Sequence, residues 1–175
     1  MKKSLILSVI TLGLMSINAA NAASATGTLT VKAAITNSCV LNTSATGTTA
    51  NAVLDFGTLN SLASNVDADT TTTGGTEIKV LCNNTVPWTL AFDGGKNAQS
   101  TQRNMIGGAS NNEYIPYNLF SDSNRATAIG MGTTAYSGKG TGAPQTVNVY
   151  GRIPAGSTLP SAGSYVDTVT VTVTY

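Results

Sequence analysis

The chain has 175 residues, of which 10% are charged, and its formal net charge is +1 with no histidine. The lack of histidine excludes Ser-His-Asp and Cys-His catalytic groups as well as histidine-ligated metal sites. A charge so close to zero is unlike the basic footprint of a nucleic-acid-binding protein. We therefore expect no cofactor, no metal and no nucleic acid as a partner.

The first 22 residues have the features of a secretory signal peptide. Lys2 and Lys3 precede the apolar stretch SLILSVITLGLMSI, and small residues in an Ala-x-Ala pattern follow it. The apolar stretch is shorter than the ~20 residues that span a bilayer, which argues against a membrane anchor. We expect cleavage between Ala22 and Ala23, export, and no membrane insertion of the mature chain.

Apolar residues that alternate with polar ones recur along the rest of the chain, as is typical of β-strands. The first such row consists of Leu29, Val31, Ala33, Ile35, Cys39 and Leu41, and others lie at 78–82, 86–92, 115–119, 147–153 and 169–173. No window of useful length has helical periodicity. The pattern predicts an antiparallel β-sandwich of about six or seven strands with an immunoglobulin-like topology. The Gly-, Asn- and Thr-rich stretches between the rows are long enough to contain further short strands.

Cys39 and Cys82 are the only two cysteines. In an exported chain an even number of cysteines predicts pairing, and a bridge here would close a loop of about 43 residues. The chain-entropy model gives such a bridge about 3–4 kcal/mol of stabilisation. A two-cysteine metal site is the alternative, but no histidine is present to complete it.

Three features could belong to a site but fit a structural role better. Asp67 and Asp69 lie in a Thr-rich stretch that we expect to be a solvated loop. The sequence DGGKN at Asp93 has too few acidic oxygens for a calcium loop and is typical of a tight turn. Trp88 shares the parity of Leu90, which favours a core position over a sugar-stacking surface. We expect the protein not to be an enzyme.

Four motifs, taken in chain order, resemble those of one protein family. They are LDFG (54–57), YNLFSDSNRATAIG (117–130), VYGRIP (149–154) and GSYVDTVTVTVTY (163–175). With the two cysteines and the signal peptide, they resemble the spore coat protein U domain family, whose best understood members are pilin subunits of archaic, Csu-type chaperone–usher pili. One departure is Ile129, where the family often has tryptophan, and we interpret it as a change of packing.

The resemblance implies an incomplete immunoglobulin-like sandwich of about six strands, which a donor strand from a neighbouring subunit completes. It also implies a periplasmic pilus chaperone, an outer-membrane usher, and neighbouring copies or other pilin subunits as partners. The protein would pass through the periplasm into a cell-surface pilus, or fimbrium, that supports adhesion and biofilm formation.

The resemblance gives the two ends of the mature chain different roles. Residues 23–36 would be the donor-strand segment, and residues 37–175 would be the sandwich domain. The unbroken parity of the first row leaves open where the donor ends and the domain's own first strand begins. The donor side chains would be Leu29, Val31, Ala33 and Ile35, and the acceptor edge would be Val169, Val171, Val173 and Tyr175.

Two functions of other classes stay open at this point. One is a secreted coat or matrix protein whose sandwich is complete in itself. The other is a carbohydrate-binding surface adhesin, for which Trp88 would be the stacking residue.

Overall fold

The computed structural model describes residues 23–41 and 51–175. Within these ranges the regular elements are strands and no helix is present, which confirms an all-β fold. The predicted signal peptide, residues 1–22, lies outside the described residues together with Ala22 of its cleavage site, and Ala23 is the first residue described. No helix of the described ranges is long and apolar enough to cross a membrane.

The chain divides into two units, and the first ends at Ala34. Its described part, residues 23–34, has no regular secondary structure, and all of its residues are exposed. The alternating row that begins at Leu29 therefore forms a strand only over Cys39–Leu41. A strand without a hydrogen-bonding neighbour gains little from its extended backbone, which explains why the pattern alone does not produce one here.

The second unit, residues 35–175, holds eleven strands in its described part. This number exceeds the predicted six or seven because three polar stretches contain short strands and two predicted strands are each divided in two. The strands are β1 (Cys39–Leu41), β2 (Val66–Asp69), β3 (Ile78–Cys82), β4 (Pro87–Phe92), β5 (Arg103–Gly107), β6 (Glu113–Phe120), β7 (Thr134–Lys139), β8 (Gln145–Val147), β9 (Tyr150–Ile153), β10 (Tyr165–Val166) and β11 (Val171–Thr174).

The strands pair in three antiparallel sheets. Their orders are β10-β5-β6-β9-β2, β1-β3-β8 and β11-β4-β7. The last part of the chain belongs to two of them, because β10 pairs with β5 and β11 pairs with β4. Residues 167–170 therefore cross from one sheet to another.

One face of each central strand supplies the hydrophobic core, as the alternation predicts. Trp88 is 5% exposed, so it is a core residue. It lies opposite Gly138 of β7, where an added Cβ would come within 2.5 Å of the indole ring. Glycine at that position makes room for the ring, and the indole N–H donates to Gln145 Oε1 at 3.3 Å.

The structure contains the predicted disulfide between Cys39 and Cys82. The two residues are opposite each other in the β1–β3 pair, with Cα atoms 4.1 Å apart. The bridge therefore ties β1, a strand of only three residues, to its neighbour.

The expectation that Asp67 and Asp69 lie in a loop was wrong, because both are on β2, although Asp67 is exposed and Asp69 is half-buried, so both reach solvent as expected. Asp67 is opposite Arg152 of β9 and accepts two hydrogen bonds of 2.7 Å from it. The hydrogen bond from Arg152 holds the pKa of Asp67 below its usual value. Asp69 instead accepts a 2.8 Å hydrogen bond from the backbone N–H of Thr71. The two carboxylates thus stabilise the end of β2.

Candidate strand-acceptor groove

The second unit contains a cavity of about 730 Å³ that reaches its core. Residues 51–54, Phe56 and residues 165–171 line it, and side chains from all three sheets contribute to its floor. The floor residues are otherwise core residues, none more than 6% exposed: Ile78, Phe92, Tyr117, Leu119 and Val149. We call this cavity the groove.

The segment from Tyr165 to Val173 presents every second residue to the core. Its odd-numbered residues are half-buried, whereas its even-numbered residues are exposed. Val169, Val171 and Val173 pack against the core, and the first two also line the groove. The structure therefore brings three of the four predicted acceptor residues together. Tyr175 is 57% exposed and lines a separate shallow cavity beside Trp88.

The backbone of this segment is paired on one side. The N–H of Asp93 donates to Thr170 O at 3.0 Å, and the N–H of Thr170 donates to Asp93 Oδ1 at 2.8 Å. In an antiparallel ladder the neighbouring residues, here Val169 and Val171, direct their backbone groups to the opposite side. Among the described residues, the backbone N–H and C=O of Val169 make no hydrogen bond.

Two sheet edges meet at this place. β11 is the edge of its sheet, and β1 is the edge of the sheet that contains the disulfide. Cα atoms of the two strands approach within 8 Å, yet the strands do not pair. An unpaired edge with free N–H and C=O groups is a template for an added strand.

A polar cluster lies at the β10 end of the groove. The hydroxyl of Tyr117 donates to Asp167 Oδ2 at 2.6 Å. Asn97 donates to Asp167 Oδ1 with its backbone N–H at 3.1 Å and with its side-chain amide at 2.9 Å. Burial and the hydrogen bond to Asp167 raise the pKa of Tyr117, so the phenol keeps its proton.

Behind this cluster lies a buried cation, Arg103, which is 5% exposed. Its guanidinium donates to backbone carbonyls, at 2.7 Å to Asp93 O and at 2.7 Å to Ile129 O. Burial lowers the pKa of Arg103, whereas Tyr117, Asp93 and Asp167 oppose that shift. An arginine stays protonated under these conditions, so the two carboxylates balance a charge that has little access to water.

Tyr165 of β10, which also lines the groove, is hydrogen-bonded to a carboxylate as well. The hydroxyl of Tyr165 lies 2.9 Å from Glu113 Oε2 and 2.8 Å from Ser161 O. The backbone N–H of Ser161 donates to the same Glu113 oxygen at 3.0 Å. Hydrogen bonds from Ser161 and Tyr165 hold the pKa of Glu113 below its usual value.

The predicted donor residues are exposed. Leu29 is 88%, Val31 84% and Ile35 85% exposed, and Ala33 is exposed too. Their role and that of the acceptor edge stay predictions.

The sequence Asp93-Gly94-Gly95 forms a turn, as predicted. The N–H of Gly95 donates to Asp93 Oδ1 at 2.8 Å, and Gly95 has a φ of 80°, which favours glycine. In the described ranges, no group of three or more His, Cys, Asp or Glu side chains is placed to hold a metal ion.

Reasoning from the sequence missed Arg103, Asn97 and the inward position of Asp167. Only Asp167 carried a signal, since it shares the parity of the valines that follow it. The other two lie in a polar stretch without any periodic pattern.

Comparison with known proteins assigns the chain to a family. A family model of the Spore Coat Protein U domain matches residues 25–172. The chain is also 33% identical over 171 residues to Protein U of Myxococcus xanthus, covering 93% of this chain and 91% of that protein. The chain belongs to the Spore Coat Protein U domain family, as its four motifs predict.

A solved structure shares the fold. It is the chaperone–tip adhesion subunit pre-assembly complex CsuC–CsuE, from archaic chaperone-usher Csu pili of Acinetobacter baumannii. The match has a TM-score of 0.51 and 20% identity, and it covers 81% of this chain but only 40% of the matched chain. The likeness confirms the predicted immunoglobulin-like sandwich, while this chain spans less than half of that protein.

Proposed function

We propose that this protein is a structural subunit of a chaperone–usher surface pilus. The main support for the proposal is the groove, because it combines a cavity that reaches core side chains, a half-buried valine row and an unpaired strand edge. A strand laid beside β11 would cover the half-buried Val169 and Val171 and would bond the free backbone groups of Val169. The fold therefore has the side-chain and backbone features of a site for strand addition.

The N-terminal segment of a neighbouring copy is the proposed donor. Its apolar row is exposed over Leu29, Val31 and Ile35, although soluble proteins seldom leave several such side chains in one row uncovered. Burying this row with Ala33 in a neighbour's groove would contribute about 5–9 kcal/mol. A backbone ladder along β11 would add to that and make the joint slow to open.

The groove and the apolar N-terminal row also require cover before assembly, because exposed apolar rows and free strand edges promote aggregation. We therefore propose a periplasmic chaperone as the first partner and an outer-membrane usher as the place where the donor replaces it. The solved pre-assembly complex of a pilus chaperone with a tip adhesion subunit supports the chaperone as a partner. Adhesion and biofilm formation would be the functions of the finished fibre.

A truncated subunit tests the proposal. A variant without residues 23–35 keeps the groove and loses the donor. Co-expressed with the intact protein, a cognate chaperone and the usher, it should accept a donor and end the fibre. We expect SDS-resistant ladders to become shorter as its share rises. Ladders of unchanged length, or polymers made of the truncated chain alone, would contradict the proposal.

A matched control keeps the segment and alters only its other face. Replacing Thr28, Thr30 and Lys32 by serine should leave the ladders unchanged. The coat or matrix protein is the second candidate, favoured by the family's spore coat description. If the refolded mature chain is a stable soluble monomer without any chaperone, that candidate replaces the pilin.

A further inference from the structure

The half-buried row that borders the groove contains one charged residue. Asp167 has the same inward parity as Tyr165 on one side and Val169 on the other, and it lines the groove. A carboxylate in an apolar row is costly once water is excluded, unless hydrogen bonds and an opposite charge compensate it. Any role of Asp167 in assembly rests on the proposed function, since a donor strand is what would exclude the water.

Groups of the same subunit already compensate the charge of Asp167. Asp167 accepts hydrogen bonds from Tyr117 at 2.6 Å and from Asn97 at 2.9 and 3.1 Å. The charge of Arg103 lies behind the same cluster. The carboxylate therefore has partners that a donor strand need not supply, and a large side chain placed over it would have to disturb them.

The donor row has one small member, Ala33, between Val31 and Ile35. Consider an antiparallel register in which Ala33 lies beside Asp167. Val31 then lies beside Val169, and Ile35 lies beside Tyr165. Leu29 then falls beside Val171. A parallel register with the same contact would leave Leu29 beside Gly163, outside the half-buried row. The antiparallel register thus uses all four donor residues, and antiparallel pairs are slightly more stable.

We propose that Asp167 and Tyr117 form a polar subsite in the groove that selects Ala33 of the incoming strand and so fixes its register. The subsite accepts a small uncharged side chain. It rejects an acidic one by charge repulsion and a large apolar one by the loss of the hydrogen bonds to Asp167. The valines on the β11 side carry no comparable group, so selection is confined to this position.

A charge exchange tests the subsite in full-length subunits. Ala33→Asp should lower the yield of SDS-resistant polymer at least about tenfold, because like charges face each other in a site without water. Asp167→Asn keeps an acceptor for Asn97 and removes the charge, and its own yield is the reference for the double variant. In the double variant the introduced carboxylate can accept from Tyr117, and the yield should return to within about threefold of Asp167→Asn.

Two controls make the outcome decisive. Val31→Asp should stay blocked when combined with Asp167→Asn, because residue 31 faces Val169 in the proposed register. If Asp167→Asn rescues both acidic variants, or neither, the subsite is refuted. If Val31→Asp polymerises normally on the unchanged acceptor, the donor assignment in the proposed function fails instead.

Donor variants on the unchanged acceptor keep the test valid even if Asp167→Asn does not fold. Ala33→Ser should assemble within about twofold of the wild type, and Ala33→Leu should assemble about tenfold less well. Val31→Leu, which enlarges a neighbouring side chain by a similar step, should assemble within about threefold. Equal yields for Ala33→Leu and Ala33→Ser would overturn the proposal.

Discussion

Two apolar rows with the same alternation have opposite surroundings. Leu29, Val31 and Ile35 are each more than 80% exposed and belong to no strand. Val171 and Val173 pair with β4 and, together with Val169, pack on the core. Alternation therefore encodes the ability to form a strand, whereas the available partner decides whether a strand forms.

The strongest effect should come from a charge in the second row. Val171→Asp puts a carboxylate among core side chains, where an unpaired charge costs about 4 kcal/mol. The chaperone-bound subunit should fall below detection in periplasmic extracts. Thr172→Asp, one residue further on the exposed side of β11, should leave its level within about twofold. Equal levels for the two variants would show that Val171 is not part of the subunit's core.

The next largest effect should come from removing the buried charge of Arg103. Arg103→Met should destabilise the subunit by about 3 kcal/mol, because it leaves buried carbonyls unpaired and removes the charge opposite Asp93 and Asp167. This loss of stability is measured by urea unfolding of the subunit, either after its release from the chaperone or with a donor strand bound. Arg152→Met, which removes an exposed ion pair with Asp67, should cost less than about 1 kcal/mol.

A smaller effect should appear in the pH dependence of the subunit's stability. Hydrogen bonds from Thr170 and Gly95 hold the pKa of Asp93 below its usual value, although burial acts in the other direction. Together with Glu113, Asp93 therefore contributes stability that is complete above the ordinary carboxyl pKa of about 4 and is lost as pH falls through the lower folded pKa.

The urea midpoint of the subunit should stay level from about pH 7 to 5 and decline below about pH 4. Asp93→Asn should reduce the decline. The described N-terminal segment has Lys32 as its one charged side chain, so donor variants should follow the wild-type profile. A midpoint that rises on acidification would contradict the assignment of these carboxylates.

The sequence predicts the parts of the fold in which burial follows local alternation. Trp88, the valines before Tyr175 and the Cys39–Cys82 pair all lie where their pattern indicates. It does not predict β2, β5 and β7, since each has only one or two apolar residues on the core, too few for an alternating row, and depends on its neighbours in the sheets.

The polar cluster at the groove could not be predicted for a related reason. Asp167 has its partners 70 and 50 positions away, at Asn97 and Tyr117. Arg103 bonds carbonyls 26 and 27 positions away, at Ile129 and Gly130. Only the folded chain brings these groups together, and no spacing in the sequence reveals that their charges are compensated.

The same charge placed in each of the two rows decides between a donor segment and a core strand. Val31→Asp should abolish the polymer and leave the chaperone–subunit complex near its normal level, because the first row enters a neighbour and not the subunit's own core. Lys32→Asp, on the other face of the segment, should change neither quantity more than about twofold. If Val31→Asp instead removes the chaperone complex as Val171→Asp does, then the N-terminal row belongs to the subunit's own core and the donor assignment is wrong.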